Sequence, residues 1–211
     1  MKRIIFAFVW AVVSFLPVKA QDMASVFIAM PDSYIPQLES AWRKDLVDIF
    51  NAGKEARLEN LMEGISVLQK LTGNYLLLQS TERTMVEMKL LPLVNKTNIV
   101  CVITTVSGPV SDSRVAFYTT DWQPLNADVL FTPVTADWFI EERADKESDA
   151  FKDAMSFLDM ELIKYNLNPD NLSLTATYTT PLYLSAEARN KLTPYLKKNP
   201  KQYAWELSRF N

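Results

Sequence analysis

The sequence contains no histidine. That excludes Ser-His-Asp and Cys-His catalysis and every zinc site built on imidazole. Cysteine occurs once, as Cys101, so neither an intramolecular disulfide nor a thiolate metal cluster can form. Cys101 sits in the run IVCVI at 99–103 and reads as a small buried hydrophobe. A reactive thiol would need a base or a cation beside it, and the run offers neither. Glycine is scarce as well. Gly53, Gly64, Gly73 and Gly108 are scattered, so no glycine-rich loop cradles a phosphate or a dinucleotide. No stretch has the alternating D-x-D-x-D-G spacing of a calcium loop. No cofactor is expected, and no catalytic or metal residue is assigned.

Long apolar runs are missing except at the start. Met1-Lys2-Arg3 is a positive leader, residues 4–16 are apolar, Pro17 closes the run, and Val18 and Ala20 are small residues spaced for cleavage. Residues 1–20 therefore read as a secretory signal peptide, with cleavage leaving Gln21. The run is short for a bilayer span, so no stable membrane anchor is expected after cleavage. The expected location is periplasmic or secreted. The remaining 191 residues carry 19 basic and 25 acidic side chains, a net charge of −6. That balance disfavours nucleic acid as a partner, because phosphate backbones attract positive potential. Two glycosylation-type triplets, at Asn95 and Asn171, matter only in a host that modifies them.

Hydrophobic periodicity places the elements. Residues 33–52 repeat apolar positions at spacings of three and four, as a helix does, and 54–71 reads as a second helix with Leu58, Leu61, Ile65 and Leu68 in its stripe. Gly53 between them implies an αα-hairpin. Strands follow at 75–79, 83–90, 99–106 and 114–120. In 83–90, Glu87 and Lys89 alternate with Val86, Met88 and Leu90, the pattern of a half-buried strand. Apolar at nearly every position, 99–106 suits a strand buried on both faces. Residues 126–143 are ambiguous. A third helix is expected over 147–165, a strand over 172–180, a short helix capped by Ser185 through Leu192, and an edge strand over 203–207. Connections are short, which favours antiparallel pairing. The fold class is α+β: a mostly antiparallel β-sheet with helices packed on one face and an N-terminal helical hairpin, in a single domain over 21–211.

Four stretches, MPDS at 30–33, RKDLVD at 43–48, EMKLLP at 87–92 and FYTTDWQPL at 117–125, together with the signal peptide, give the chain a family likeness. It resembles a family of exported Bacteroidales proteins described only as a domain of unknown function. The likeness runs over nearly the whole chain after residue 20. It implies a Gram-negative envelope location and assigns no activity and no site residue.

Four groups of residues are candidates for chemistry. Asp121 with Trp122, and Asp137 with Trp138, pair a flat ring with a carboxylate, as a sugar or peptide site does. The plainer alternative has each Trp anchoring a loop and each Asp holding local N–H groups. The acids Asp121, Asp128, Asp137, Glu141 and Glu142 crowd one region. A glycosidase would need two of them about 5–9.5 Å apart in a cleft. Residues 173, 175, 177 and 179 form a hydroxyl row on one strand, and Lys191, Lys197, Lys198 and Lys201 form a basic set. With no catalytic constellation present, the chain reads as a non-catalytic binding or interaction module whose partner is a glycan or an envelope protein. A carboxylate-dependent glycan hydrolase is the alternative.

Overall fold

A computed structural model describes residues 22–211. The signal peptide assigned to 1–20 lies outside the described residues. Helix α1 (Met23–Ile28) starts at Asp22, whose carboxylate accepts the N–H of Ser25 at 2.8 Å. A short 3-10 turn over Asp32–Tyr34 leads to helix α2 (Ser40–Asn51). Six strands then run in a continuous meander: β1 (Ala56–Glu59), β2 (Ile65–Leu71), β3 (Tyr75–Thr81), β4 (Thr84–Pro92), β5 (Asn98–Ser107) and β6 (Ser111–Thr119). Each pairs antiparallel with the next, giving a six-stranded sheet in sequence order. After two 3-10 turns and helix α3 (Asp149–Met155), strand β7 (Ile163–Leu167) begins a second sheet. It continues with β8 (Ser173–Tyr178), then helices α4 (Thr180–Tyr183) and α5 (Ala186–Leu192), then β9 (Lys201–Glu206) and β10 (Arg209–Phe210). Its order is β10-β9-β8-β7, all antiparallel.

The larger sheet is apolar on both faces because its central strands carry apolar residues at successive positions, not alternate ones. On β5, Val100 packs toward α1 and α2, while Ile99, Cys101 and Ile103 pack toward the second sheet. Burial on both sides matches the expectation for this run. Cys101 is fully buried, and burial pushes its thiol pKa up, away from reactivity. The α+β class and the antiparallel pairing are as expected. Helices α1 and α2 cover one face of the large sheet, and the second sheet covers the other.

One expected helix is not formed, and another is cut short. Residues 54–71 are β1 and β2, so the N-terminal hairpin has no second helical arm there. Asn60 decides the local geometry. Its buried side chain donates to Ser66 Oγ (2.9 Å) and to the Ser80 carbonyl (3.2 Å), and accepts the N–H groups of Met62 and Gly64. A loop organised by an internal amide cannot also be a helix turn. Ser66 and Leu68 then face inward at strand spacing. In 147–165 the helix stops at Met155. Ile163, Tyr165 and Leu167 alternate inward as β7, so a period of two replaces the apparent period of three and four. The helix expected over 33–52 also starts late, since α2 begins only at Ser40.

Arg43 fixes the path between the helices. Its side chain is fully enclosed. Its guanidinium donates to the carbonyls of Leu38, Ile28 (3.2 Å) and Met30, and pairs with Asp32 at 2.9 Å. Two of the sequence stretches with family likeness, MPDS and RKDLVD, thus meet through one side chain. Burial lowers the Arg43 pKa and Asp32 opposes this, but guanidinium stays charged at any ordinary pH. Replacing Arg43 by Met should cost on the order of 3 kcal/mol, because the carbonyls of Leu38 and Met30 lose their donor and Ile28 keeps only the Ser40 hydroxyl. The exposed neighbour Lys44, paired only with Asp48, should tolerate Ala with no measurable shift in the urea midpoint. Equal effects of the two variants in urea unfolding would contradict the assignment.

Candidate functional site

Where the helical layer ends, the large sheet is left open. α2 packs mainly on β1 and β2, and α1 on β3 and β4, so helix covers β5 and β6 least. A cleft of about 350 Å³ lies there, floored by β4–β6 and bounded by the loop of residues 30–37. Such a volume falls in the range of small-ligand sites. One end holds three rings in mutual contact. Tyr34 and Tyr118 meet edge to face at 4.9 Å, and Trp122 lies 5.7 and 5.4 Å from them. The other end holds Thr84, Thr104 and Arg114. Arg114 is exposed and makes no ion pair or side-chain hydrogen bond among the described residues. Burial, and to a lesser degree Tyr34, raise the Tyr118 pKa, and Arg114 partly offsets this. No carboxylate lines this space.

Trp122 shows how FYTTDWQPL is used. The chain reverses between Thr119 and Gln123, where the Thr119 N–H donates to the Gln123 carbonyl at 2.9 Å. Trp122 takes the left-handed conformation, φ 63°, inside that turn. Such a backbone costs a bulky residue roughly 1–2 kcal/mol. The cost is offset by burial and by the indole N–H, which donates to the Val26 carbonyl of α1 at 2.9 Å. The ring therefore pins the sheet exit to the helix layer and presents an edge to the cleft.

The two Asp–Trp pairs do not converge. Trp122 packs with the core on the helix side of the large sheet, whereas Trp138 packs with the core between the sheets. Lys197 and Lys201 lie over the Trp138 ring at 4.5 and 5.1 Å, so its face is already occupied by cations of the same chain. Asp121 and Asp137 are both exposed. Glu141 and Glu142 share a hollow with Trp138, and Glu142 pairs with Lys197 at 3.5 Å. Asp128 lies in a separate hollow with Asp112 and Glu161. Those two acids accept the backbone N–H groups of Ile163 and Ala136. The hydroxyl row of β8 is not a free surface along its length, since Thr175 bonds Gln202 and Thr179 turns inward to the carbonyls of Ser111 and Leu162. Lys191 pairs with Asp153 at 3.0 Å.

A second cluster was hidden by its alternation. Glu87 and Lys89, which the pattern of β4 places on a solvent side, are buried between the two sheets. Glu87 accepts from the Tyr75 hydroxyl (3.0 Å), the Asn166 amide (2.8 Å) and the Leu167 N–H (3.0 Å). Lys89 donates to the carbonyls of Asn168 and Pro169, both at 2.8 Å. Every contact crosses to β7 or the turn after it, except that of Tyr75. The cluster is enclosed, with no access for a ligand; it joins the layers.

A helix-covered meander backed by a second, curled antiparallel sheet, with a cleft at its uncovered edge, defines a structural class without a set chemistry. The chain belongs to the family described as a protein of unknown function, DUF3256, whose model matches residues 15–210. It is similar in structure to a domain of an uncharacterized protein from Porphyromonas gingivalis W83, a member of the Bacteroidales, with 28% identity and a TM-score of 0.81 over 91% of this chain and 98% of that one. No curated protein matches.

Burial raises the Glu87 pKa above its ordinary 4.5, and the bonds from Asn166, Tyr75 and Leu167 only partly offset this. An acid with a raised folded-state pKa favours folding below its ordinary value, and that contribution is lost as pH rises through the raised value. Glu87→Gln, which keeps a neutral group in place, should therefore gain stability relative to the parent as pH rises from 4.5 toward neutrality. Urea unfolding at several pH values measures this, and a difference that is constant with pH would contradict it.

Proposed function

We propose that the protein is a non-catalytic binding module of the bacterial envelope that takes its ligand in the cleft over β4–β6. The observation that carries this is the combination at one open site of three clustered rings and an arginine without an ion-pair partner among the described residues. Rings, an apolar floor and a few polar groups are what small-ligand sites present. The envelope location rests on the signal peptide read in residues 1–20 and on the family likeness. The occupant presents a ring or apolar group, either alone or as part of a glycan or an envelope protein.

A carboxylate-dependent glycan hydrolase is the weaker alternative. The cleft has no acid, and in the hollow that groups Asp112, Asp128 and Glu161 two of the three are engaged by backbone N–H groups. Saturation-transfer NMR of the purified protein against panels of glycans and small metabolites tests the proposal. Tyr34→Ala, which removes a half-exposed ring from the cleft, should weaken the ligand found by tenfold or more. Trp138→Ala should leave it unchanged. A ligand lost with Trp138→Ala and indifferent to Tyr34→Ala would move the site to the other core.

A further inference from the structure

Strand register grades the cleft along its length. Val86, Thr104 and Arg114 lie opposite one another across β4, β5 and β6. The next row is Met88, Val102 and Ala116, and the row after that is Leu90, Val100 and Tyr118. The first row ends in a cation, and Thr84 beside it adds a hydroxyl. In the middle row no side chain offers a hydrogen bond. The last row ends in the ring cluster of Tyr118, Tyr34 and Trp122. From Arg114 to Tyr118 the strand advances about 13 Å, at roughly 3.3 Å per residue.

Arg114 is also free to use its charge. Asp112, the nearest acid along β6, turns its carboxylate to the backbone of β7 and accepts the Ile163 N–H at 3.0 Å. Arg114 also borders the hollow of Asp112, Asp128 and Glu161, yet among the described residues no carboxylate forms an ion pair with its guanidinium. A guanidinium fork is matched by a planar oxyanion such as carboxylate, which it binds through two parallel hydrogen bonds.

We infer that the ligand of this cleft is an amphiphilic carboxylate: an acid group held by Arg114 and Thr104, with an apolar chain or ring lying over Val102 and Ala116 toward Tyr34 and Tyr118. This rests on the cleft being the binding site, as proposed above. A neutral glycan fits less well, because it carries hydroxyls along its whole length and the middle row would leave them unpaired. An extended peptide fits less well too. The backbones of β4 and β5 are committed to ladders on both sides, so the middle of the floor offers no main-chain bonds for strand addition.

Isothermal titration calorimetry of the purified protein with decanoate and with the uncharged decanamide tests the inference. Decanoate should bind at least tenfold more tightly than decanamide. Arg114→Gln, at an exposed position without structural bonds, should erase that preference while decanamide binding stays the same. Tyr34→Ala should weaken both probes. If the parent binds the two probes equally and Tyr34→Ala weakens both, the carboxylate assignment fails and the cleft stands. If binding is indifferent to both substitutions, the cleft fails as well. If neither probe binds, while a ligand found by the NMR screen is lost with Tyr34→Ala, the site stands and the amphiphile is overturned.

Discussion

A sheet that is apolar on both faces must be covered on both faces, and this requirement shapes the whole molecule. Six strands at about 4.8 Å spacing make a surface roughly 24 Å wide. A helix with its side chains covers about 10 Å of that width. The second sheet packs over β3 to β6 on one face. On the other face only α1 and α2 are available, and they sit over β1 to β4. The cleft is the part of the sheet that this thin layer leaves uncovered. Its rings, Tyr34 and Trp122, come from the loops that border the gap, and they shield apolar floor that water would otherwise reach.

Much of this order could be read from the chain. Strands expected at 75–79, 83–90, 99–106 and 114–120 form at 75–81, 84–92, 98–107 and 111–119, and the Ser185 cap and the burial of Cys101 likewise follow from local pattern. What could not be read depended on contacts between distant residues. Residues 54–71 carry apolar positions that satisfy a helical stripe and a strand equally, and the tie is broken by Asn60 reaching Ser80. Glu87 and Lys89 alternate like solvent-facing residues because a period of two reports sidedness and not exposure. Only a second sheet, formed some 80 residues later, turns that side into an interior.

The site shows the same division. The sequence neighbourhood of Trp122 marks it as a candidate, but its partners Tyr34, Tyr118 and Arg114 carry no shared motif with it. One signal was present. In IVCVITTV the run loses its apolar character at Thr104 and Thr105, and Arg114, Ala116 and Tyr118 alternate along the strand that pairs with it. Together these mark a sheet face that stops being fully covered. Trp138 looked equivalent to Trp122 in sequence, yet its ring is satisfied by Lys197 and Lys201. The difference between the two tryptophans lies in what approaches their faces, which residue type does not encode.

The arginine clamp at the edge of the cleft has a consequence for variation. Arg43 holds the loop of residues 30–37 chiefly through the carbonyl oxygens of Ile28, Met30 and Leu38. A carbonyl is the same group whatever side chain it belongs to. The course of this loop is therefore secured independently of the identities of Tyr34 and Gln37, which border the cleft. Relatives that keep the arginine can diversify those positions without redrawing the backbone. Such a lip lets the lining of the cleft drift while the architecture stays constant.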